Sequence, residues 1–190
     1  VTAATSDDFE PLGVPVPRVA IWLVILSEVV IFGGLIACYI LYRVRFPEWA
    51  QYAVHTSTPL GALNTLVLLT SSLTVVLAHA AAEKQELSKV TRYLGMTVAL
   101  GLCFLVVKSI EYTTEIHHGF TFTANLFWTF YYSMTGLHAI HVILGMLAMS
   151  YVAIGASRGQ NLHRVEMAGL YWHFVDVVWV FLFPLLYVAK

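Results

Sequence analysis

Five runs of apolar residues, roughly 19–44, 60–82, 93–111, 124–155 and 165–188, make up most of this 190-residue chain. Each is near the ~20 residues that a helix needs to cross a bilayer core of about 30 Å. The composition agrees, with 59% hydrophobic residues, 11% charged residues and a mean hydropathy of +0.77. A soluble domain averages about 25% charged residues. The chain therefore reads as an all-α integral membrane protein. Short connections predict an up–down bundle of five transmembrane helices with antiparallel neighbours. The fourth run is longer than one crossing requires, so its helix is expected to tilt or protrude.

A net charge of −1 argues against a nucleic-acid partner, which would leave a basic surface. No second domain, internal repeat or low-complexity tract is visible. Residues 1–17 are expected to form an extended polar lead-in shaped by Pro11, Pro15 and Pro17. Asp7, Asp8 and Glu10 stand where a signal peptide would be basic. Residues 18–190 then form a single membrane domain. Its orientation follows from Lys and Arg placement. With the N-terminus inside, the inner segments hold Arg18, Lys84, Lys89, Arg92, Arg158 and Arg164, against Arg43, Arg45 and Lys190 outside. This excess predicts an inside N-terminus and an outside C-terminus.

Several polar residues fall at middling depth in these runs. The stretch Tyr171-Trp172-His173-Phe174-Val175-Asp176-Val177-Val178-Trp179 sets His173 and Asp176 at i and i+3 on one helix face, where each can hydrogen-bond the other. A carboxylate near a helix centre costs about 2.5–3.5 kcal/mol on insertion scales, so it needs a partner or a protein interior. Glu28 lies about 14 Å along the first helix, and His138 and His141 are another i, i+3 pair. These five are expected to face inward or toward a partner subunit. Hydrogen-bonding glue between helices is the plainer reading. A non-haem metal centre or axial haem ligation is the alternative, although the Glu-x-x-His spacing of di-iron bundles is absent from the spans.

Lys108 and Glu111 are expected to form a snorkelling ion pair near one end of the third helix. Glu83, Lys84, Glu86 and Lys89 read as a solvated loop, and His117 and His118 as incidental loop histidines. Trp22, Trp49, Trp128 and Tyr187 lie near span ends, as an interfacial aromatic belt would require. Trp172 and Trp179 are expected to pack against helices or lipid, and Gly33, Gly34, Gly136 and Gly145 to allow close helix approach. Cys38 and Cys103 read as buried small hydrophobes.

The segments Leu26-Ser27-Glu28-Val29 with Phe32-Gly33-Gly34, then Leu63-Asn64-Thr65 with Ser71-Ser72, then Glu111-Tyr112, occur in a telling order. Thr135-Gly136-Leu137-His138-Ala139-Ile140-His141-Val142 and Tyr171 to Trp179 complete the series. From Trp22 onward the chain resembles subunit III of the haem–copper terminal oxidases, in particular the cytochrome c oxidase branch. Many relatives have seven helices, and this chain lacks the first two, which form one arm of a V-shaped phospholipid cleft. Such a cleft would have to be completed here by another subunit. The five-helix form points to a bacterial origin, in the cytoplasmic (inner) membrane.

The resemblance implies a non-catalytic core subunit of a proton-translocating aa3-type cytochrome c oxidase, which reduces oxygen to water. Haem and copper belong to subunits I and II, and this chain carries no cofactor, metal or catalytic residue. It would pack mainly against subunit I, with subunit II and subunit IV as further partners and cytochrome c as donor to the complex. It would hold structural phospholipid and sustain proton uptake. Carried over by position, Glu28 matches a carbodiimide-reactive membrane carboxylate, and Glu28, His141 and Arg158 match lipid contacts. Glu166 matches an acidic residue at the start of the last helix, joining His138, His141, His173 and Asp176 in a structural polar network. Subunit III of a ubiquinol oxidase and a five-helix accessory protein of nitric oxide reductase are related alternatives. A stand-alone membrane haem or metal oxidoreductase is the alternative of a different class. The chain isolated in detergent is expected to contain no stoichiometric haem, copper, iron or zinc by elemental and absorption analysis. About one equivalent of metal that survives chelation but is lost on His138→Ala or His173→Ala would reverse this reading.

Overall fold

The computed structural model describes residues 16–160 and 162–189. Of the expected extended lead-in, residues 1–15 lie outside the described residues, and so does Lys190; Val16 and Pro17 already belong to the first helix. In chain order the elements are α1 (Val16–Arg45), a short α2 (Trp49–Ala53), α3 (Thr58–Glu83), α4 (Leu87–His117), α5 (Leu126–Ser157) and α6 (Arg164–Phe183). A π-helical turn, Pro184–Val188, extends α6. The five long helices are each long and apolar enough to cross a membrane, and they pack as one bundle. Helix α4 outruns its apolar core at both ends, from Leu87 to His117. Hydropathy marks the stretch that suits lipid, whereas backbone hydrogen bonding continues into the polar flanks.

Three helix C-termini close with the same backbone pattern. After α4, Gly119 N–H bonds Ile116 C=O and Phe120 N–H bonds Glu115 C=O; after α5, Gly159 and Gln160 repeat this on Ala156 and Gly155. This is the Schellman closure, which needs a left-handed residue. Gly119 and Gly159 supply it with φ of 86° and 71°. After α3 the same two bonds run from Gln85 and Glu86 to Ala82 and Ala81. There Gln85 takes φ of 59°, and the turn allows α4 to begin only four residues after α3 ends.

Helix α6 is central, packing on α3 and α5 and carrying most of the contact with α1. Trp172 explains how. Its indole passes so close to Gly145 of α5 that a Cβ there would stand 2.7 Å from the ring, and it also reaches Gly101 of α4. Its Nε1–H donates to Ser71 Oγ of α3 at 2.9 Å. One side chain thus registers three helices against a fourth. Of the glycines expected at close approaches, Gly145 is at one, but Gly33 and Gly34 have no atom within 4 Å of an added Cβ.

Other expectations are corrected by packing. Trp128 and Tyr187 are fully buried rather than interfacial: Trp128 stacks on Phe120 of the α4–α5 connection at 4.8 Å, and Tyr187 turns into the bundle. Trp49 is also buried, whereas Trp22 is exposed as a belt residue would be. Cys38 and Cys103 are exposed on helix surfaces. Lipid is as apolar as a core, so hydropathy does not distinguish a lipid-facing position from a packed one.

The C-terminal turn would leave free carbonyls, and four neighbours cover them. Tyr39 donates to Leu185 C=O at 3.1 Å, Thr56 to Leu186 C=O at 3.2 Å and Thr58 to Tyr187 C=O at 2.9 Å. The Arg43 guanidinium donates to Ala189 C=O. Gly145→Ala is expected to lower stability by about 1–3 kcal/mol through overpacking against a rigid indole. Gly34→Ala, facing open space, is expected to leave stability unchanged or slightly raised. Unfolding of the chain in mixed micelles by sodium dodecyl sulfate measures both.

Candidate functional site: membrane carboxylates, histidines and the grooves beside α1

Glu28 of α1 and His141 of α5 meet across the bundle, with Oε2 2.9 Å from Nε2. The carboxyl is poorly aligned for a straight hydrogen bond. His141 Nδ1 lies 2.8 Å from Leu137 C=O, and a carbonyl can only accept, so Nδ1 carries a proton. Nε2 then faces Glu28 either as an acceptor from a carboxylic acid or as an imidazolium donor to a carboxylate. The pair is net neutral in both forms, which suits a place among long apolar helices. Phe32 packs edge-on against the imidazole with centroids 5.1 Å apart.

This pair lines a groove of about 480 Å³ between α1, α5 and α6. Ile21, Val24, Leu144, Ala148 and Met167 give it apolar walls, and Arg164 and Tyr151 lie at one end, joined by a 2.9 Å hydrogen bond from the guanidinium to the phenol oxygen. Arg158 caps the C-terminus of α5 and does not line this groove. Glu166 pairs with Arg18 at 2.8 Å, tying the start of α6 to α1. Both partners are substantially exposed, so the pair contributes only about 0–1 kcal/mol.

The remaining candidates are not joined into one network. His138 is fully buried between Phe104 and Trp179, at ring-centroid distances of 5.5 and 5.2 Å. Neither of its ring nitrogens has a hydrogen-bond partner among the described residues. The expected His173–Asp176 hydrogen bond is not formed. His173 Nδ1 instead lies 2.7 Å from Ser72 Oγ of α3, an across-helix partner better placed than the next turn of α6. Asp176 is 4% exposed and both its oxygens lack a formed hydrogen bond. No group of three or more His, Cys, Asp or Glu side chains among the described residues is arranged to hold a metal ion.

The polar centre that sequence reasoning misplaced is Lys108. It does not snorkel: Lys108 and Glu111 are 2% and 1% exposed. Lys108 Nζ donates to Glu111 Oε2 at 3.0 Å, Tyr131 OH at 3.1 Å and Tyr187 OH at 2.7 Å. All three ammonium protons are therefore used. The Tyr112 ring face, 4.7 Å from Nζ to its centroid, completes the cage. No local signal marked this, because Tyr131 and Tyr187 stand 23 and 79 residues from Lys108 in sequence. Beside the cage, Glu115 is buried with Oε2 unpartnered.

Comparison with known proteins places this geometry. The profile described as cytochrome c oxidase subunit III matches residues 15–189. Cytochrome c oxidase subunit 3 of Thermostichus vulcanus is 34% identical over 169 residues, covering 86% of this chain and 83% of that protein. The subunit of the same name from Bacillus sp. (strain PS3) is 35% identical over 170 residues, covering 87% and 82%. A heme-copper oxidase subunit I+III of Aeropyrum pernix is 34% identical over 186 residues, covering 90% of this chain and 22% of that longer protein. With five bilayer-length helices and a profile match spanning almost all the described residues, this multi-pass inner-membrane chain belongs to the cytochrome c oxidase subunit III family.

Proposed function

We propose that this chain is the non-catalytic core subunit III of a proton-translocating aa3-type cytochrome c oxidase, packed against subunit I as an up–down bundle with its N-terminus inside and its C-terminus outside. The observation that carries the reading is the family match along nearly the whole chain. The Aeropyrum pernix relative, named as subunit I+III in one polypeptide, supports subunit I as the main partner. Subunit II, subunit IV and cytochrome c as electron donor belong to the same assembly. Haem and copper reside in subunits I and II.

The groove over Glu28 and His141 suits a phospholipid acyl chain, with Arg164 and Tyr151 placed for a polar headgroup. Arg158, exposed at the end of α5, serves as a second, peripheral headgroup contact. His138, His173, Asp176 and Glu166 act structurally, each within its own neighbourhood. By holding lipid and bracing subunit I, the chain sustains proton uptake during turnover without touching the reacting oxygen. An oxidase stripped of this subunit is expected to keep its haem spectrum and its initial rate of oxygen reduction. It should then inactivate during turnover, and faster at higher pH, where protons are scarcer. Oxygen consumption followed over time at two pH values, with and without the subunit, checks this. Immediate and complete loss of oxygen reduction with intact haem would overturn it.

A further inference from the structure

A second groove, of about 420 Å³, opens between α3 and α6 beside the start of α1. Its mouth is framed by three helix ends, where α1 begins, α3 stops and α6 begins. Arg18, Glu83 and Glu166 stand at this mouth, with His79 one turn below Glu83. His173 lines the groove about 10 Å further along α6 than Glu166. Val75, Val76 and Leu170 make the walls between them apolar. The ends of bilayer-length helices meet the headgroup layer, about 5–7 Å deep on each side of the hydrocarbon. A charged mouth over apolar walls is the profile of a single phospholipid lying along the bundle.

The charges at the mouth select the headgroup. Arg18 engages Glu166 through Nη2 alone, at 2.8 and 3.0 Å. Its other guanidinium nitrogens have no partner among the described residues, and they can donate to a phosphate oxygen. Glu83 is exposed at the last residue of α3. It makes no ion pair or side-chain hydrogen bond among the described residues, and its carboxylate only accepts. Two carboxylates against one guanidinium disfavour a headgroup of net negative charge. A headgroup carrying both a phosphate and a primary ammonium satisfies Arg18 and Glu83 together. A trimethylated ammonium has no N–H to give Glu83, so ethanolamine fits where choline does not.

Deeper in the groove, Ser72 Oγ lies 2.7 Å from His173 Nδ1. In the tautomer where the hydroxyl donates to Nδ1, Nε2 carries the proton and can donate to an ester carbonyl below the phosphate. We propose that this groove is a second lipid site, selective for phosphatidylethanolamine. Arg18 holds the phosphate, Glu83 the ammonium and His173 an ester carbonyl, and one acyl chain runs along Val76 and Leu170. The site is separate from the groove over Glu28 and His141, with which it shares no lining residue. The inference stands on these side chains and not on the oxidase reading.

Titration of the full chain, delipidated in detergent, with single lipids followed by native mass spectrometry tests it. Dioleoyl phosphatidylethanolamine should bind about fivefold more tightly than dioleoyl phosphatidylcholine, the upper end of what one exposed ion pair contributes. Dioleoyl phosphatidylglycerol should bind no more tightly than the choline lipid. Glu83→Gln, a change at an exposed helix end, should abolish the preference for ethanolamine. Arg164→Gln, which alters only the first groove, should keep it. Equal binding of the three lipids, or tighter binding of the glycerol or choline lipid, would overturn the proposal. So would a preference that survives Glu83→Gln, or one lost in Arg164→Gln, which would assign it to the first groove. The wild-type titration decides even where a variant does not fold.

Discussion

Everything in this bundle depends on finding partners for polar groups where water does not reach, and the Lys108 ammonium is where that constraint bites hardest. A lone buried cation would be intolerable in hydrocarbon. Here it holds three acceptors from α4, α5 and the C-terminal turn at once. Because Tyr187 belongs to the turn beyond α6, the ammonium fixes how the chain ends. The carbonyls of that turn are in turn covered by Tyr39, Arg43, Thr56 and Thr58. Removing the cation would loosen a site that five separate elements share.

The saturated Lys108 cage contrasts with the groups near α1 and along α6. Helix α1 docks chiefly on α6, with polar ties at several levels: Arg18 to Glu166, Glu28 to His141, Tyr39 and Arg43 to the C-terminal turn. A helix held along one line leaves space on either side, and both grooves open there. One is apolar with a neutral Glu28–His141 pair in its lining, suited to lipid. The other, between α3 and α6 beside Arg18, mixes His79, Glu83, Glu166 and His173 with Val75, Val76, Val165 and Leu170. Structural rigidity and functional access thus occupy different parts of the same small bundle.

The five spans and the family were legible because hydropathy over ~20 residues is a strong signal and the motif series keeps its order. That Glu28, His141, His173 and Asp176 lie within long apolar helices was legible too. Partner choice was not. An i, i+3 spacing suggested His173 with Asp176, yet the deciding neighbour, Ser72, is 101 residues away in sequence. Lys108 and Glu111 were paired correctly, but their burial depends on Tyr131 and Tyr187, which only the fold brings near. Gly101 and Gly145 differ from Gly33 and Gly34 solely in whether Trp172 or Met146 lies opposite, and no local pattern encodes that. Gly119 and Gly159 obey the usual helix-stop chemistry, whereas Gln85 performs the same turn without announcing it.

The most direct test of this account is a double-mutant cycle at the ammonium, read as stability of the chain in mixed micelles. Lys108→Met leaves the Glu111 carboxylate buried without its cation and is expected to cost about 3–5 kcal/mol. Lys108→Met combined with Glu111→Leu removes both charges, and is expected to recover much of that loss, giving a strongly non-additive cycle. A neutral Lys108→Met, or two changes whose costs simply add, would show that the buried cage does not hold the bundle together.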